Sequence, residues 1–491
     1  MNEKKYTLIL LASSLLAGGV TESWAVLGIG WAVWAAVVFS IRWGERIPVL
    51  ELAQMLAGLQ WIIAPILIYH LPDVEKYPME IPQAYYLSIV VPAYLCFCFG
   101  ITLFNVPVRY LPALQEKPEF LKVLLAAAAI GYGLGLTPLA GSTFPHMLSE
   151  LLGCSVIFAM YRCSKRTAWI LFGIFVFLLL LESLSWGGFH ALLIWFFWLG
   201  SFLLHRIGAS RKTVLASLVL AVLAVSVFQG VKWQYRDAER SGSLRDWILF
   251  AGMSEDWLTG GKLRSTLQDE DFLLRFNQGW HISQVIIYMD VTGNYLRGSS
   301  IADSVGAILL PRYLFPDKRR GGGAENFRTM TFHELVGGTS MNVSYVGEGY
   351  GNWGKSGCSL FLLGVGCLLG LALRLVKWMN EKDGFYFYFI PVLFFFGVKA
   401  EGDFMMTFGQ FFKLFLIAWV LIRLFGRRFV NCGDGGGRRR HVPERLRLKG
   451  CSESGRPAEE EIHSCELLNW LPASGANTAV RPIRYRRSLP H

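Results

Sequence analysis

The chain has 491 residues, of which 53% are hydrophobic and only 17% charged, and its mean hydropathy is +0.40. Apolar residues at that density, gathered in long blocks, exclude a water-soluble globular domain and indicate an integral membrane protein. The formal net charge of +11 indicates no nucleic-acid module, because the basic residues fall in short interhelical loops and in the C-terminal tail.

A membrane-crossing helix takes about 20 mostly apolar residues. Blocks of this kind lie at 7–21, 24–41, 49–69, 84–104, 121–139, 145–160, 168–184, 188–204, 213–231, 357–375, 384–399 and 403–424, about twelve in all. The first two are separated only by Thr21-Glu22-Ser23 and read either as a hairpin or as two closely joined spans. The first block shows no clear small-residue cleavage site and is followed at once by Trp-rich apolar sequence, so it reads as a helix rather than a signal peptide. The expected fold is an all-α polytopic membrane protein: spans 1–9 in residues 1–231, one large loop at 232–356, spans 10–12 in 357–424, and a tail at 425–491.

Orientation follows from the basic residues, since Lys and Arg accumulate in cytoplasmic loops. Lys4-Lys5, Arg42/Arg46, Arg109/Lys117/Lys122, Arg162/Lys165/Arg166, Arg206/Arg211/Lys212, Arg374/Lys377/Lys382 and Arg423/Arg427/Arg428 fall on one side when the amino terminus is cytoplasmic. The alternate loops are poor in basic residues; 70–83 carries Asp73, Glu75 and Glu80 against Lys76 alone. This topology places the large loop outside the cytoplasm and both termini inside. The tail carries 13 Lys and Arg against 7 Asp and Glu, a net +6, with no span-length apolar block; it reads as a solvated disordered segment, or as one that touches anionic lipid heads. The nine cysteines are scattered, none in the large loop and none in paired CxxC elements, so neither a disulfide scaffold nor a zinc site is indicated.

The large loop opens with Lys232-Trp-Gln-Tyr-Arg236, two cations about one helical turn apart. Such a pair suits a lipid phosphate, and equally an interfacial anchor with Trp233 and Tyr235 in the aromatic belt. The run 272–287, with Arg275 and His281, reads as an amphipathic helix broken at Gly279. Residues 301–310 form an apolar run too short to span, delivering Pro-Arg-Tyr-Leu-Phe-Pro-Asp-Lys-Arg-Arg-Gly-Gly-Gly at 311–323. A proline-stiffened basic turn of this kind holds Arg312 and Lys318 near phosphates, and the glycines let backbone amides approach an anion; the bland alternative is a flexible basic loop. Val346-Gly-Glu-Gly-Tyr-Gly-Asn-Trp-Gly354 leads straight into the next span. Glu348 within it is either a candidate general base or a plain turn residue. His333 is a second candidate, imidazole being the side chain that titrates near neutrality.

The run 310–318, the Asn-Val-Ser…Gly-Glu-Gly-Tyr-Gly-Asn-Trp-Gly stretch and the span after it resemble the outer loop of bacterial oligosaccharide repeat-unit polymerases, the Wzy-type O-antigen and exopolysaccharide polymerases. The resemblance covers about 230–356 in motif and 1–424 in topology; the tail matches nothing in that family. It implies an enzyme of the inner membrane with a periplasmic loop, transferring an oligosaccharide from an undecaprenyl-pyrophosphate carrier to a second lipid-linked oligosaccharide. In that reading Lys232, Arg236, Arg275, Arg312 and Lys318 cradle the pyrophosphate, and Glu348, His333 or Asp317 takes the proton. Neither a cofactor nor a metal is called for, and a chain-length regulator and a flippase are the implied protein partners. Two rivals share the topology: an O-antigen ligase-like transferase, with the same donor and a different acceptor, and a polysaccharide transporter or flippase, which should bury ionisable residues in mid-span. Glu182, His190, Lys399, Glu401 and Asp403 are the candidates for that, and the sequence places them mainly near span ends.

Overall fold

A backbone surrounded by lipid must satisfy its own N–H and C=O groups, and an apolar block does so by becoming a helix. The computed structural model describes residues 2–71, 74, 77–111, 119–138, 143–186, 190–221, 223, 231, 252–256, 276–310, 321, 323–335 and 341–426, and among these it is helical throughout, with no strand beyond an isolated bridge between Trp43 and Arg46. Among the described residues eight helices are long and apolar enough to cross a membrane: Trp24–Arg42, Val49–Tyr69, Gln83–Phe104, Thr143–Arg162, Lys165–Ser183, His190–Ile207, Ser344–Asp383 and Phe404–Gly426.

The named helices run, in chain order, α1 Asn2–Thr21, α2 Trp24–Arg42, α3 Val49–Gly58, α4 Ala64–Tyr69, α5 Gln83–Phe104, α6 Phe120–Gly135, α7 Thr143–Ser149, α8 Leu151–Arg162, α9 Lys165–Trp186, α10 His190–Ile207, α11 Gly279–Thr292, α12 Ser299–Leu309, α13 Ala324–Met330, α14 Ser344–Asp383, α15 Tyr386–Leu393 and α16 Phe404–Leu421. Four of the expected twelve blocks fall short of a described span. The first forms α1, whose leading turn carries Glu3, Lys4 and Lys5, and α6 has 16 residues. The block at 213–231 is described only in part. The block at 384–399 yields the eight-residue α15, which contains Pro391, and then turns.

The core is built on a close pairing of α5 with α14. A Cβ on Gly100 would stand 2.4 Å from the carbonyl oxygen of Leu363, and one on Gly366 2.4 Å from that of Phe97. The two backbones therefore touch, as helices in lipid do where small residues face each other. Between α3 and α4 a π-turn, Leu59–Ile63, shifts the hydrogen-bond register, and two carbonyls there serve other partners. Gln60 accepts from the Gln278 N–H at 3.2 Å, and Trp61 from the Tyr86 hydroxyl at 2.8 Å. The Trp61 indole, fully buried, donates to the Ala400 carbonyl at 3.0 Å and stands edge-on to Phe97 and Tyr345. One π-turn thus ties the polar interval 276–356 to the spans.

That interval is more helical than its composition suggests. Gly279 does not break a helix; it begins α11, its N–H held by Asn277 Oδ1 at 2.9 Å. The short apolar run becomes α12, as expected of its length. Residues 344–353, among which Glu348 read as a base or as a turn residue, are helical, the first part of α14.

Candidate functional site

The corner in α14 organises the region. Gly354 has φ 66° and ψ −162°, a conformation open in practice only to glycine, and it bends the helix after Trp353. The carbonyls exposed by the bend find partners in the loop after α11: Leu296 and Arg297 donate to Gly351 and Asn352, both at 3.0 Å. Asn352, fully buried, accepts from the Gly298 N–H at 2.9 Å and donates to Ser300 Oγ and to the Glu348 carbonyl, each at 2.7 Å. The Gly-Tyr-Gly-Asn-Trp-Gly run is therefore a joint between two helical segments.

Glu348 lies on the inner side of this joint and has no exposed surface. Its Oε2 accepts from the Phe404 N–H at 2.8 Å and its Oε1 from Asn326 Nδ2 at 3.3 Å. The same Asn326 amide donates to Asp403 Oδ2 at 3.3 Å, while Asp403 Oδ1 caps α16 by accepting from the Met406 N–H at 2.8 Å. Two buried carboxylates thus share one amide, and α13, α14 and α16 meet at that point. Both carboxylate oxygens of Glu348 accept from donors, and the side chain has no solvent contact.

A second carboxylate is open. Asp290, exposed on α11, accepts from three phenols: Tyr350 at 2.6 Å and Tyr295 at 3.3 Å on Oδ1, and Tyr85 at 2.8 Å on Oδ2. Tyr85 starts the span α5, Tyr295 belongs to the loop after α11, and Tyr350 is on the joint, its hydroxyl 3.3 Å from that of Tyr85. Burial holds the Tyr295 phenol above its ordinary pKa, so it remains a donor. Beside them Lys355 Nζ donates to Ser88 Oγ at 2.9 Å, and Trp353 is 41% exposed. A carboxylate ringed by phenols, with an indole and an ammonium nearby, offers partners for sugar hydroxyls, a sugar face and a phosphate.

A third group of charges is buried between helices. Glu150, between α7 and α8, accepts from Gln410 Nε2 at 3.1 Å and lies 3.4 Å from His146 Nε2. Lys399, in the turn before α16, is 6% exposed, its Nζ 4.5 and 4.4 Å from the ring centres of Phe395 and Phe396.

Of the residues singled out in the sequence, Glu348 and His333 are described. His333 is exposed, bound through Nε2 to Gln284 Oε1 at 2.9 Å, so the two candidate bases are held by different elements. Asp317 and the five cations Lys232, Arg236, Arg275, Arg312 and Lys318 lie outside the described residues, as does the tail from 427 onward. Asp290, Tyr85 and Asn326 were not legible as site residues, because each is a single polar residue with no motif around it. Among the described residues no group of three or more His, Cys, Asp and Glu could hold a metal ion. Compared with protein-family models, with curated proteins and with solved structures, the chain matches none.

Proposed function

We propose that this membrane protein polymerises oligosaccharide repeat units carried on undecaprenyl pyrophosphate, by glycosyl transfer at the outer face of a bacterial inner membrane, with both termini cytoplasmic. The reading starts from the resemblance in the large loop. The observation that carries it is the Asp290 cluster, in which a span, a loop and the α14 joint converge on one open carboxylate. An acceptor hydroxyl placed there would lose its proton to a carboxylate as its oxygen bonds to the donor's anomeric carbon. The anomeric C–O bond to the lipid pyrophosphate breaks, and the departing charge is met by cations, for which arginine's planar fork is suited. Lys232, Arg236, Arg275, Arg312 and Lys318 are the cations proposed for that role. Asp290 joins Glu348, His333 and Asp317 as a candidate base, and of the described candidates Asp290 and His333 are the exposed ones.

A transporter or flippase is the second reading, favoured by Glu150 and Lys399, ionisable side chains buried where helices break. The test is the polysaccharide ladder of a deletion strain complemented with wild type, Asp290→Asn, Arg312→Ala or Lys399→Met at equal expression. Loss of the ladder with single repeat units retained at the surface, unrestored by Asp290→Asn and Arg312→Ala but restored by Lys399→Met, supports the polymerase. Loss of all surface glycan points to the ligase-like transferase or to the transporter, and rescue by Asp290→Asn but not by Lys399→Met would select the transporter.

A further inference from the structure

A groove of about 750 Å³ runs between α2, the end of α10 and the helical residues 211–221. Gly44 lets its two sides meet: the turn after α2 takes φ 92° there, and a Cβ would stand 2.8 Å from Val214 Cγ2. On α2, Val33, Val37 and Ile41 follow one another at four-residue spacing, all exposed, and exposed Leu215 lines the groove from the other side. Buried Trp43 lines it too, held in place because its indole donates to Ser201 Oγ at 2.7 Å and stacks on Phe197 at 5.8 Å. In lipid, an open apolar groove of this kind takes acyl chains.

Its polar lining is Ser40, Glu45, His205 and Arg211. The Ser40 hydroxyl donates to the Ala36 carbonyl at 2.8 Å. Glu45 and Arg211 are exposed, and among the described residues neither side chain has an ion pair or a hydrogen bond. His205 Nδ1 lies 2.8 Å from the Tyr161 hydroxyl, whose single hydrogen goes to the Phe202 carbonyl at 3.0 Å. Nδ1 therefore carries the imidazole proton, and Nε2 is left as an acceptor. The neighbouring cations Arg206 and Lys212 do not line the groove, so one acid, one base and one lone pair set its polarity.

We infer that the groove binds a zwitterionic phospholipid with a primary amine in its headgroup, the phosphate on Arg211, the ammonium on Glu45 and His205 Nε2, and the acyl chains between α2 and residues 211–221. A guanidinium donates to phosphate oxygens, and a primary ammonium has three N–H donors for a carboxylate and an imidazole nitrogen. A quaternary ammonium has none, and a wholly anionic headgroup would meet the Glu45 carboxylate. The polar end of the groove lies where α2 and α10 end in basic residues, the level at which lipid heads gather. The site stands whatever reaction the protein performs.

The full-length protein is reconstituted in nanodiscs of phosphatidylcholine with equal amounts of phosphatidylethanolamine, its mono- or dimethylated forms, or phosphatidylglycerol, and retained lipid and thermal midpoint are read. The wild type is expected to retain phosphatidylethanolamine over phosphatidylcholine by about fivefold, the share of one exposed ion pair, with the methylated forms between. Glu45→Gln should bring the two lipids level, Arg211→Gln should lower both, and Lys212→Ala, beside the groove, should match the wild type. Methylation strips donors from the lipid and leaves the protein intact, so that result does not depend on how a variant folds. Equal retention of phosphatidylethanolamine and phosphatidylcholine by the wild type overturns the proposal, as does an unchanged preference in Glu45→Gln. Retention of phosphatidylglycerol above both overturns it in favour of an anion site. An equal rise in midpoint with soluble glycerophosphoethanolamine in phosphatidylcholine discs overturns it in favour of a water-soluble ligand.

Discussion

Replacing Glu348 separates an anchor from a base. In Glu348→Ala the Phe404 N–H, the first of α16, loses its carboxyl acceptor at 2.8 Å, at a side chain with no solvent contact. A buried donor left without its acceptor costs about 1–3 kcal/mol. Asn326 keeps Asp403 as a partner, so its loss is small. The space vacated by the carboxymethyl group adds about 1–2 kcal/mol. The sum, about 4 kcal/mol, lowers the ratio of folded to unfolded protein by about a thousandfold. Glu348→Gln keeps the volume and one acceptor oxygen but points an amide at a donor, and is expected to cost about half as much. The assay is reversible unfolding of the purified protein in mixed micelles titrated with denaturing detergent, run beside the surface-polymer ladder. An unchanged unfolding midpoint in Glu348→Ala would refute the anchor role. A Gln variant that unfolds like wild type yet makes no polymer would restore Glu348 to the role of base.

Gly366→Ala places a methyl 2.4 Å from the Phe97 carbonyl and is expected to cost about 3 kcal/mol or more, whereas Gly364→Ala, with nothing within 4 Å, should be neutral or slightly stabilising in the same unfolding assay. Burial pushes the His281 imidazole on α11 down to about 4, below the ordinary value near 6.5. The unfolded chain then binds a proton that the folded one refuses: this contribution to stability is whole above pH 6.5 and is lost as pH falls toward 4, by about a hundredfold in the folding equilibrium. His281→Gln should flatten that part of the pH–stability curve relative to wild type. Tyr350→Phe removes the 2.6 Å bond to Asp290 and is expected to cost about 1–2 kcal/mol of stability, and about tenfold in polymer yield if the open cluster is the reaction site. Tyr85→Phe, at an exposed phenol, should cost less than half of that stability, and equal losses in the two variants would count against the cluster as described.

How far the sequence discloses this fold depends on what each residue's role needs. Apolar blocks disclose themselves, because lipid forces them into helices whatever the partner; α2, α5, α9 and α10 sit where those blocks were read. The joint does not. Its glycines have turn composition, and the partners that close the end of its helical part, Leu296, Arg297 and Ser300 against Gly351 and Asn352, lie about 50 residues away in the sequence. Glu348 was legible as unusual but not as buried, since its burial depends on Asn326 and Phe404, 22 and 56 residues away. Asp290 is hidden for the converse reason: it is one acid in a helix of mixed character, and the phenols that single it out come from positions 85, 295 and 350.

The stretch of α14 beyond its joint, about 29 residues, is a rod of about 43 Å, against a hydrocarbon layer of about 30 Å. At its far end Lys382 rests 3.2 Å over the Trp378 ring, while its near end is fixed to the loop that carries Tyr295. A rod longer than the layer it crosses must lean or protrude, and the lean changes with the layer's thickness. The glycine at the bend is where such a lean would meet a fixed set of hydrogen bonds, those of Leu296 and Arg297 to Gly351 and Asn352, so the strain of fitting the rod to a bilayer would fall on the joint that carries Tyr350.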